Sequence, residues 1–313
     1  MTDTLTAVDA AWLYLEAPER PMNVSQLLIV DSSARPDGRL GLDDLRALVE
    51  ARLHLLPRLR QRPALPPVPG ERPVWADDPA FDLGAHLQET TVSGAGDPPA
   101  LGAVAAAIHV EPLGLGRPLW EVHLLQSASG GTAAILVKWH HALADAMAGL
   151  AMVRRLLETG AGTPDAPPAP WTARPVPAPF ELLHDGDGTD AQHRLRQLTS
   201  DPAALGDDLR PVYRALEALL ATGSPPRGPL GRPAAAARRA GFATLPFAEA
   251  RQTRVALGTS MAELFLTLAA GAVSRLFAGR GIDAASVRVM VPLLARGDRG
   301  RRESGNHAAY VFF

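Results

Sequence analysis

The sequence predicts an α+β fold, with mixed or antiparallel sheets packed by helices and the chain divided into two lobes. Three observations carry this. Two apolar strand-like runs, Trp120–Leu125 and Thr132–Trp139, flank the turn Ser127–Gly131 and read as an antiparallel hairpin. Helix-spaced segments are interspersed with short strand-like runs. Seven prolines fall between Pro164 and Pro179, and His184–Asp190 adds turn residues, so 160–189 reads as a linker between lobes at 1–159 and 190–313.

The elements follow in order. Residues 6–16 read as a short helix, with Ala10, Leu13 and Ala17 at helical spacing, and Val24–Asp31 as a strand. Leucines recur at helical spacing over Leu42–Leu56, and Pro57 ends that helix. Six prolines within 57–73 predict a rigid extended excursion. Val74–Ala76 and His86–Val92 are short strands, and Pro99–Val110 is a helix of small residues. After the hairpin, His140–Gly149 leads into a helix through Leu157. Beyond the linker lie helical patches at Ala191–Leu198 and Tyr213–Leu220, then a second Pro/Gly-rich stretch, Gly223–Pro233. The strongest helix is Ser260–Ala278. Val287–Val291 is a strand stopped by Pro292, and Ala308–Phe313 closes the chain as a strand.

Composition removes several function classes. The chain is 47% hydrophobic, enough to bury a core. With 31 basic and 33 acidic residues the net charge is −2, which gives no reason to expect nucleic-acid binding. There is no cysteine, so disulfides, thiol nucleophiles and Cys-ligated metals are excluded. Lys138 is the single lysine, and no glycine-rich phosphate loop precedes it. The N-terminus lacks the basic and apolar regions of a secretory signal. The most apolar segment, Leu264–Leu276, is interrupted by Arg275 and falls short of the ~20 residues of a spanning helix. A soluble or peripheral protein is expected.

The cluster with chemical potential is Lys138-Trp139-His140-His141-Ala142-Leu143-Ala144-Asp145. Neighbours on a strand point to opposite faces, so the two histidines would not share one task. A neutral imidazole can accept a proton at physiological pH, and Asp145 is near enough to orient a ring or to tie down the loop. Two core histidines would give the same pattern. A zinc site using His141 and Asp145 lacks the glutamate base of a His-Glu-x-x-His helix. No Gly-x-Ser-x-Gly elbow is present for a serine hydrolase.

His140-His141-x-x-x-Asp145 resembles the His-His-x-x-x-Asp-Gly signature of the acyl-CoA-dependent acyltransferases. That superfamily includes chloramphenicol acetyltransferase and peptide-synthetase condensation domains. The surrounding blocks are similar to one branch of it, the bacterial wax ester synthase/diacylglycerol acyltransferases. These blocks are Asp9-Ala10 with Glu16 and Pro21-Met22, Pro57-Arg58-Leu59-Arg60, Phe81-Asp82-Leu83 with His86, Arg117-Pro118-Leu119-Trp120-Glu121, Val291-Pro292 and Gly305-Asn306.

The resemblance implies a two-lobed chloramphenicol-acetyltransferase-like fold with a tunnel between the lobes. It implies that His141 is the general base, with His140 beside it. Asp145 would be structural and paired with an arginine, Arg296 first and Arg117 second. Arg117, Trp120, Glu121 and Asn306 would support the site. Acyl-CoA would be a substrate, with diacylglycerol or a long-chain alcohol as acceptor, and no cofactor or metal. The protein would be cytoplasmic, or peripheral at the inner membrane or lipid bodies, and its second lobe would be incomplete beside the family.

Four positions depart from the family pattern. Ala146 stands in place of glycine, Asn23 of histidine, Thr259–Glu263 of an Asn-Asp pair and Leu294 of serine. They leave open a lipid-binding or acyl-CoA-binding relative without catalysis. An acyltransferase or condensation enzyme of secondary metabolism is also open.

Overall fold

The computed structural model describes residues 3–35, 37–66, 72–93, 97–127, 132–157, 170–176, 238–282, 289–294, 305–306 and 308–312. They fall into two compact units. One holds the described residues of Met1–Asp208, Ala234–Ala240 and Leu294–Ala308; the other holds those of Leu209–Pro233, Gly241–Leu293 and Ala309–Phe313.

In the first unit, β1 (Asp3–Thr4) leads into α1 (Ala7–Leu15), where Thr6 caps the helix by accepting from the Asp9 N–H at 3.1 Å. Next come β2 (Asn23–Asp31) and α2 (Leu42–Arg52). The helix expected to reach Leu56 gives way at Leu53–Leu55 to a 3-10 turn. Pro57 disfavours helical geometry at the residue before it, and Leu56 sits at φ −132°, ψ 67°.

The proline-rich stretch 57–73 is not wholly an excursion. Its residues Gln61–Ala64 form β3, which pairs antiparallel with β4 (Val74–Asp77). The strand order β1-β4-β3 puts β3 at an edge, where Pro63 is tolerated.

Then come β5 (Leu87–Val92), α3 (Pro98–Val110), β6 (Trp120–Ser127), β7 (Thr132–His140) and α4 (Ala146–Leu157). The hairpin forms as expected, with Trp120 opposite Trp139 and Glu121 opposite Lys138. The main sheet has the order β2-β7-β6-β5, antiparallel except for the parallel β5–β6 pair.

Side-chain alternation gives this sheet two buried faces. Trp120, Val122, Leu124, Val137 and Trp139 pack with residues of α2 and α4, including Leu45, Val49, Met152 and Leu156. Leu125, Ala134 and Leu136 pack with Leu101 and Ala105 of α3. A sheet covered on both sides holds the end of β7 rigidly, and the two histidines sit there.

Part of the segment 160–189 lies against this unit. Arg174 donates to Asp77 from its backbone N–H, Nε and Nη2 at 3.0, 3.1 and 2.9 Å. Trp171 meets Phe81 edge-on, and the Arg60 guanidinium lies over its ring.

The second unit contains α5 (Phe247–Leu257), α6 (Met261–Ala278), and most of β8 (Met290–Leu294) and β9 (Ala308–Phe312). Helix α5 has no counterpart among the sequence expectations, and none of its residues is buried. α6 starts with a capping box between Ser260 and Glu263. At 18 residues and a mean hydropathy of 1.4, α6 is long and apolar enough to cross a membrane by length and composition, contrary to the expectation from Leu264–Leu276. The strand expected to stop at Pro292 runs through it, in a two-stranded ladder where every strand is an edge. The patches Ala191–Leu198 and Tyr213–Leu220 and the stretch Gly223–Pro233 lie outside the described residues.

Candidate active site

The His motif begins where β7 stops. Asn23 of β2 lies opposite His140, and the His140 N–H donates to Leu119 O at 3.0 Å. One residue on, the His141 N–H donates to Met22 O at 2.7 Å, so the backbone on both sides of the peptide is held.

The side chains part as strand alternation predicts. His140 is fully buried. Its Nδ1 accepts from the Ala142 N–H at 3.0 Å, which makes Nδ1 the unprotonated nitrogen and leaves the hydrogen on Nε2. Nε2 lies 3.6 Å from Glu16 Oε2. Burial, and then the neighbouring His141, hold the His140 pKa down to about 4. His140 is therefore neutral at physiological pH, and its acceptor nitrogen is spent on shaping the loop.

His141 is half-buried and stacks on Trp12 of α1, with ring centroids 4.0 Å apart and planes 18° from parallel. Its Nδ1 is buried and has no hydrogen-bond partner among the described residues. Three more such atoms surround the motif, Trp12 Nε1, His140 Nε2 and Asn306 Oδ1. Buried polar atoms without partners are uncommon and mark places where strain or function is concentrated.

Asp145 stands just before α4. Its Oδ1 accepts from the Met147 and Ala148 N–H groups at 3.0 and 2.9 Å, so Asp145 caps α4. Arg117, the second candidate, is used elsewhere. It donates to Glu121 Oε1 at 2.5 Å and to Ala85 O at 3.1 Å. Arg296, the first candidate, lies outside the described residues.

The loop between His141 and Asp145 is held from three sides. Trp139 Nε1 donates to Ala144 O at 3.0 Å. The Gly305 N–H donates to Leu143 O at 2.9 Å, and Gly305 O accepts from the Asp145 N–H at 3.1 Å. Gly305 does this at φ 84°, a conformation that side-chain-bearing residues rarely adopt. Asn306 Nδ2 bridges His141 O at 2.8 Å and Asp9 Oδ1 at 2.6 Å, tying α1 to the motif. A cavity of about 120 Å³ lies beside this clamp, lined by Asp9, Arg58, Leu143 and Asn306 among others.

The remaining candidates are structural in their contacts. Trp120 is buried, donates to Leu59 O at 2.7 Å and stacks on His86. Glu121 lies 3.2 Å from His123 Nε2 and 3.5 Å from Lys138 Nζ. Burial would raise its carboxyl pKa, but the bond to His123 and the Lys138 and Arg117 charges hold it low. Lys138 also donates to Glu111 O at 2.6 Å, and Asn23 Nδ2 donates to the His109 and Glu111 carbonyls at 2.8 and 2.9 Å. Together they satisfy the C-terminal carbonyls of α3. Sequence reading placed Lys138 in the cluster without giving it a role, and it missed Trp12. Lys138 had a signal, a charge inside an apolar strand, whereas Trp12 had none. No group of three His, Asp or Glu able to hold a metal occurs among the described residues.

Comparison with known proteins adds to this. The family model of the wax ester synthase/diacylglycerol acyltransferase catalytic domain matches residues 5–265. A putative diacylglycerol O-acyltransferase of Mycobacterium tuberculosis is 29% identical over 97% of this chain and 66% of its own length. The chain thus spans just under two thirds of that relative. Among solved structures, the wax ester synthase/diacylglycerol acyltransferase from Marinobacter aquaeolei VT8 superposes with a TM-score of 0.60 at 20% identity, over 90% of this chain and 62% of that one. The first condensation domain of the calcium-dependent antibiotic synthetase gives 0.57 at 18% identity, over 100% of this chain and 69% of that one. At such identities the likeness is one of fold, and it bears out the expected chloramphenicol-acetyltransferase-like class.

Proposed function

Because the chain belongs to the wax ester synthase/diacylglycerol acyltransferase family, we propose that it is an acyl-CoA-dependent O-acyltransferase acting on diacylglycerol or a long-chain alcohol. The observation that carries the mechanism is the division between the two histidines. His140 is neutral, buried and bonded into the loop, so it has no free lone pair to offer. His141 is half-buried, with its backbone fixed at both N–H and C=O. It is the residue able to take a proton.

In the proposed reaction His141 removes the acceptor's hydroxyl proton as that oxygen attacks the thioester carbonyl carbon. The tetrahedral intermediate collapses with cleavage of the carbon–sulfur bond. The imidazolium returns the proton to the departing thiolate, giving an ester and free CoA thiol. No acyl-enzyme is needed, in keeping with a chain that has neither cysteine nor a serine elbow. Acyl-CoA enters as a substrate, and the reaction draws on no cofactor. Both acceptors are water-insoluble, so the reading extends to a cytoplasmic protein working at the surface of the inner membrane or of lipid bodies.

Thiol release from a long-chain acyl-CoA, measured with diacylglycerol or a fatty alcohol present, tests this. His141→Ala is expected to lower the rate by about 10²–10⁴-fold, the usual worth of a general base. Turnover unchanged in His141→Ala would overturn the assignment. Acyl-CoA binding without thiol release in the wild type would favour a lipid-binding relative.

A further inference from the structure

A histidine base ordinarily has its ring oriented by a hydrogen bond at the nitrogen that does not take the proton. That device is missing at His141. Its Nδ1 is buried and has no partner among the described residues, while the Asp145 Oδ1 that could have served is engaged with the N-terminus of α4. Something else must keep the imidazole from rotating about its side-chain bonds.

Trp12 is placed to do so. Its indole lies face to face with the imidazole at 4.0 Å and 18°, within the preferred range for a stacked aromatic pair. The platform is itself fixed. Asp9, one helical turn before Trp12 on the same side of α1, accepts from both the backbone N–H and Nδ2 of Asn306 at 3.0 and 2.6 Å. The same Nδ2 donates to His141 O. Asn306 therefore holds the base's backbone and the helix that carries the indole in one frame. Trp12 Nε1 has no hydrogen-bond partner among the described residues, so the contribution of Trp12 here is its flat face.

We propose that Trp12 is a positioning residue for the base, fixing the His141 ring by stacking in place of a hydrogen bond. The face also suits the chemistry, because the positive charge that forms on His141 as it takes the proton would rest against an electron-rich indole. The inference rests on the general-base reading of His141.

The 313-residue chain carrying Trp12→Phe or Trp12→Leu provides the test. Trp12→Leu removes the flat ring and is expected to lower kcat by about 10–100-fold, the scale of a displacement near 1 Å, with KM changed less than about two-fold. Trp12→Phe keeps a ring and should stay within about three-fold of wild type. If Trp12→Leu does not fold, Trp12→Met supplies volume without a flat face. A second arm is independent of turnover. In ¹H–¹³C spectra of histidine-labelled protein, the His141 signal, assigned by its loss in His141→Gln, should lie upfield from the indole ring current. It should move downfield in Trp12→Leu. Wild-type kcat in folded Trp12→Leu, or a His141 signal indifferent to that change, would overturn the proposal. If the wild type transfers no acyl group, the functional reading fails, and the spectral arm alone then decides whether the stack exists.

Discussion

Gly149 lies inside α4, four residues past Asp145, and its replacement by alanine sets two effects of opposite sign against each other. Alanine is the better helix former by about 0.8–1 kcal/mol. Yet a Cβ at this position would fall inside contact distance of three atoms of the Trp139 ring. Trp139 is only 2% exposed, and its Nε1 is bonded to Ala144 O, so the ring cannot swing away without loosening the His motif. Overpacking of a close-packed site costs about 1–3 kcal/mol, and a three-atom overlap belongs at the upper end. The clash therefore wins, and Gly149→Ala should destabilise the first unit by about 2 kcal/mol. Gly271→Ala in α6 is the control, since nothing lies within 4 Å of a Cβ there; it should stabilise its helix by up to about 1 kcal/mol. Urea unfolding followed by far-UV circular dichroism reads both. With a slope of about 1–3 kcal/mol per molar, the Gly149 variant's midpoint should fall by about 1 M. A Gly149→Ala protein as stable as wild type would refute the packing argument.

Three further outcomes follow from the same contacts. Asp145→Ala removes the α4 cap and should cost about 1 kcal/mol in urea unfolding, whereas Asp145→Asn, which can still cap, should cost less. Lys138→Met breaks the buried pair with Glu121 and leaves Glu111 O only the Asn23 amide as donor; a loss of about 3 kcal/mol is expected, partly recovered in a double variant with Glu121→Gln. The bonds from Arg174 hold the Asp77 carboxyl down to about 2, from an ordinary 3.8. A depressed carboxyl stabilises the fold above its unfolded pKa and loses that contribution as pH falls toward its folded value. Because Arg174 is 66% exposed, solvent screening cuts the contribution to about 1 kcal/mol. The stability gap between wild type and Arg174→Ala should thus be full above about pH 4 and shrink between there and pH 2; a gap independent of pH would count against it.

Much of this was legible in the sequence because it depends on local periodicity. Period-two alternation gave the hairpin and the opposed orientation of His140 and His141. Helical spacing gave α1 and α2, the second one turn too long. What depends on pairing across the chain was not legible. The prolines of 57–73 spoke for an extended path, yet Gln61–Ala64 found β4 to pair with because one edge of a strand needs no N–H at Pro63. The capping of α4 by Asp145 went unread, although an aspartate just before a helical run is itself an N-cap signal. Trp12 meets His141 through the tertiary fold alone, and nothing in its local sequence points there.

The departures from the family pattern gain a physical account from their places in the fold. Asn23 uses its amide to satisfy two carbonyls at the end of α3. Ser260 and Glu263 form a capping box. Ala146 is the first residue of α4, a helical position that needs no positive φ and favours alanine over glycine. These three departures thus each serve a helix terminus, whereas the fourth, Leu294, ends strand β8 and nothing in the structure explains it. Ala146→Gly, which restores the family residue, separates this account from a catalytic lesion. It should lower stability by up to about 1 kcal/mol and leave thiol release within about two-fold of wild type. A tenfold or greater rise in thiol release would instead mean that alanine obstructs the base, and that the chain had been tuned away from turnover at this residue.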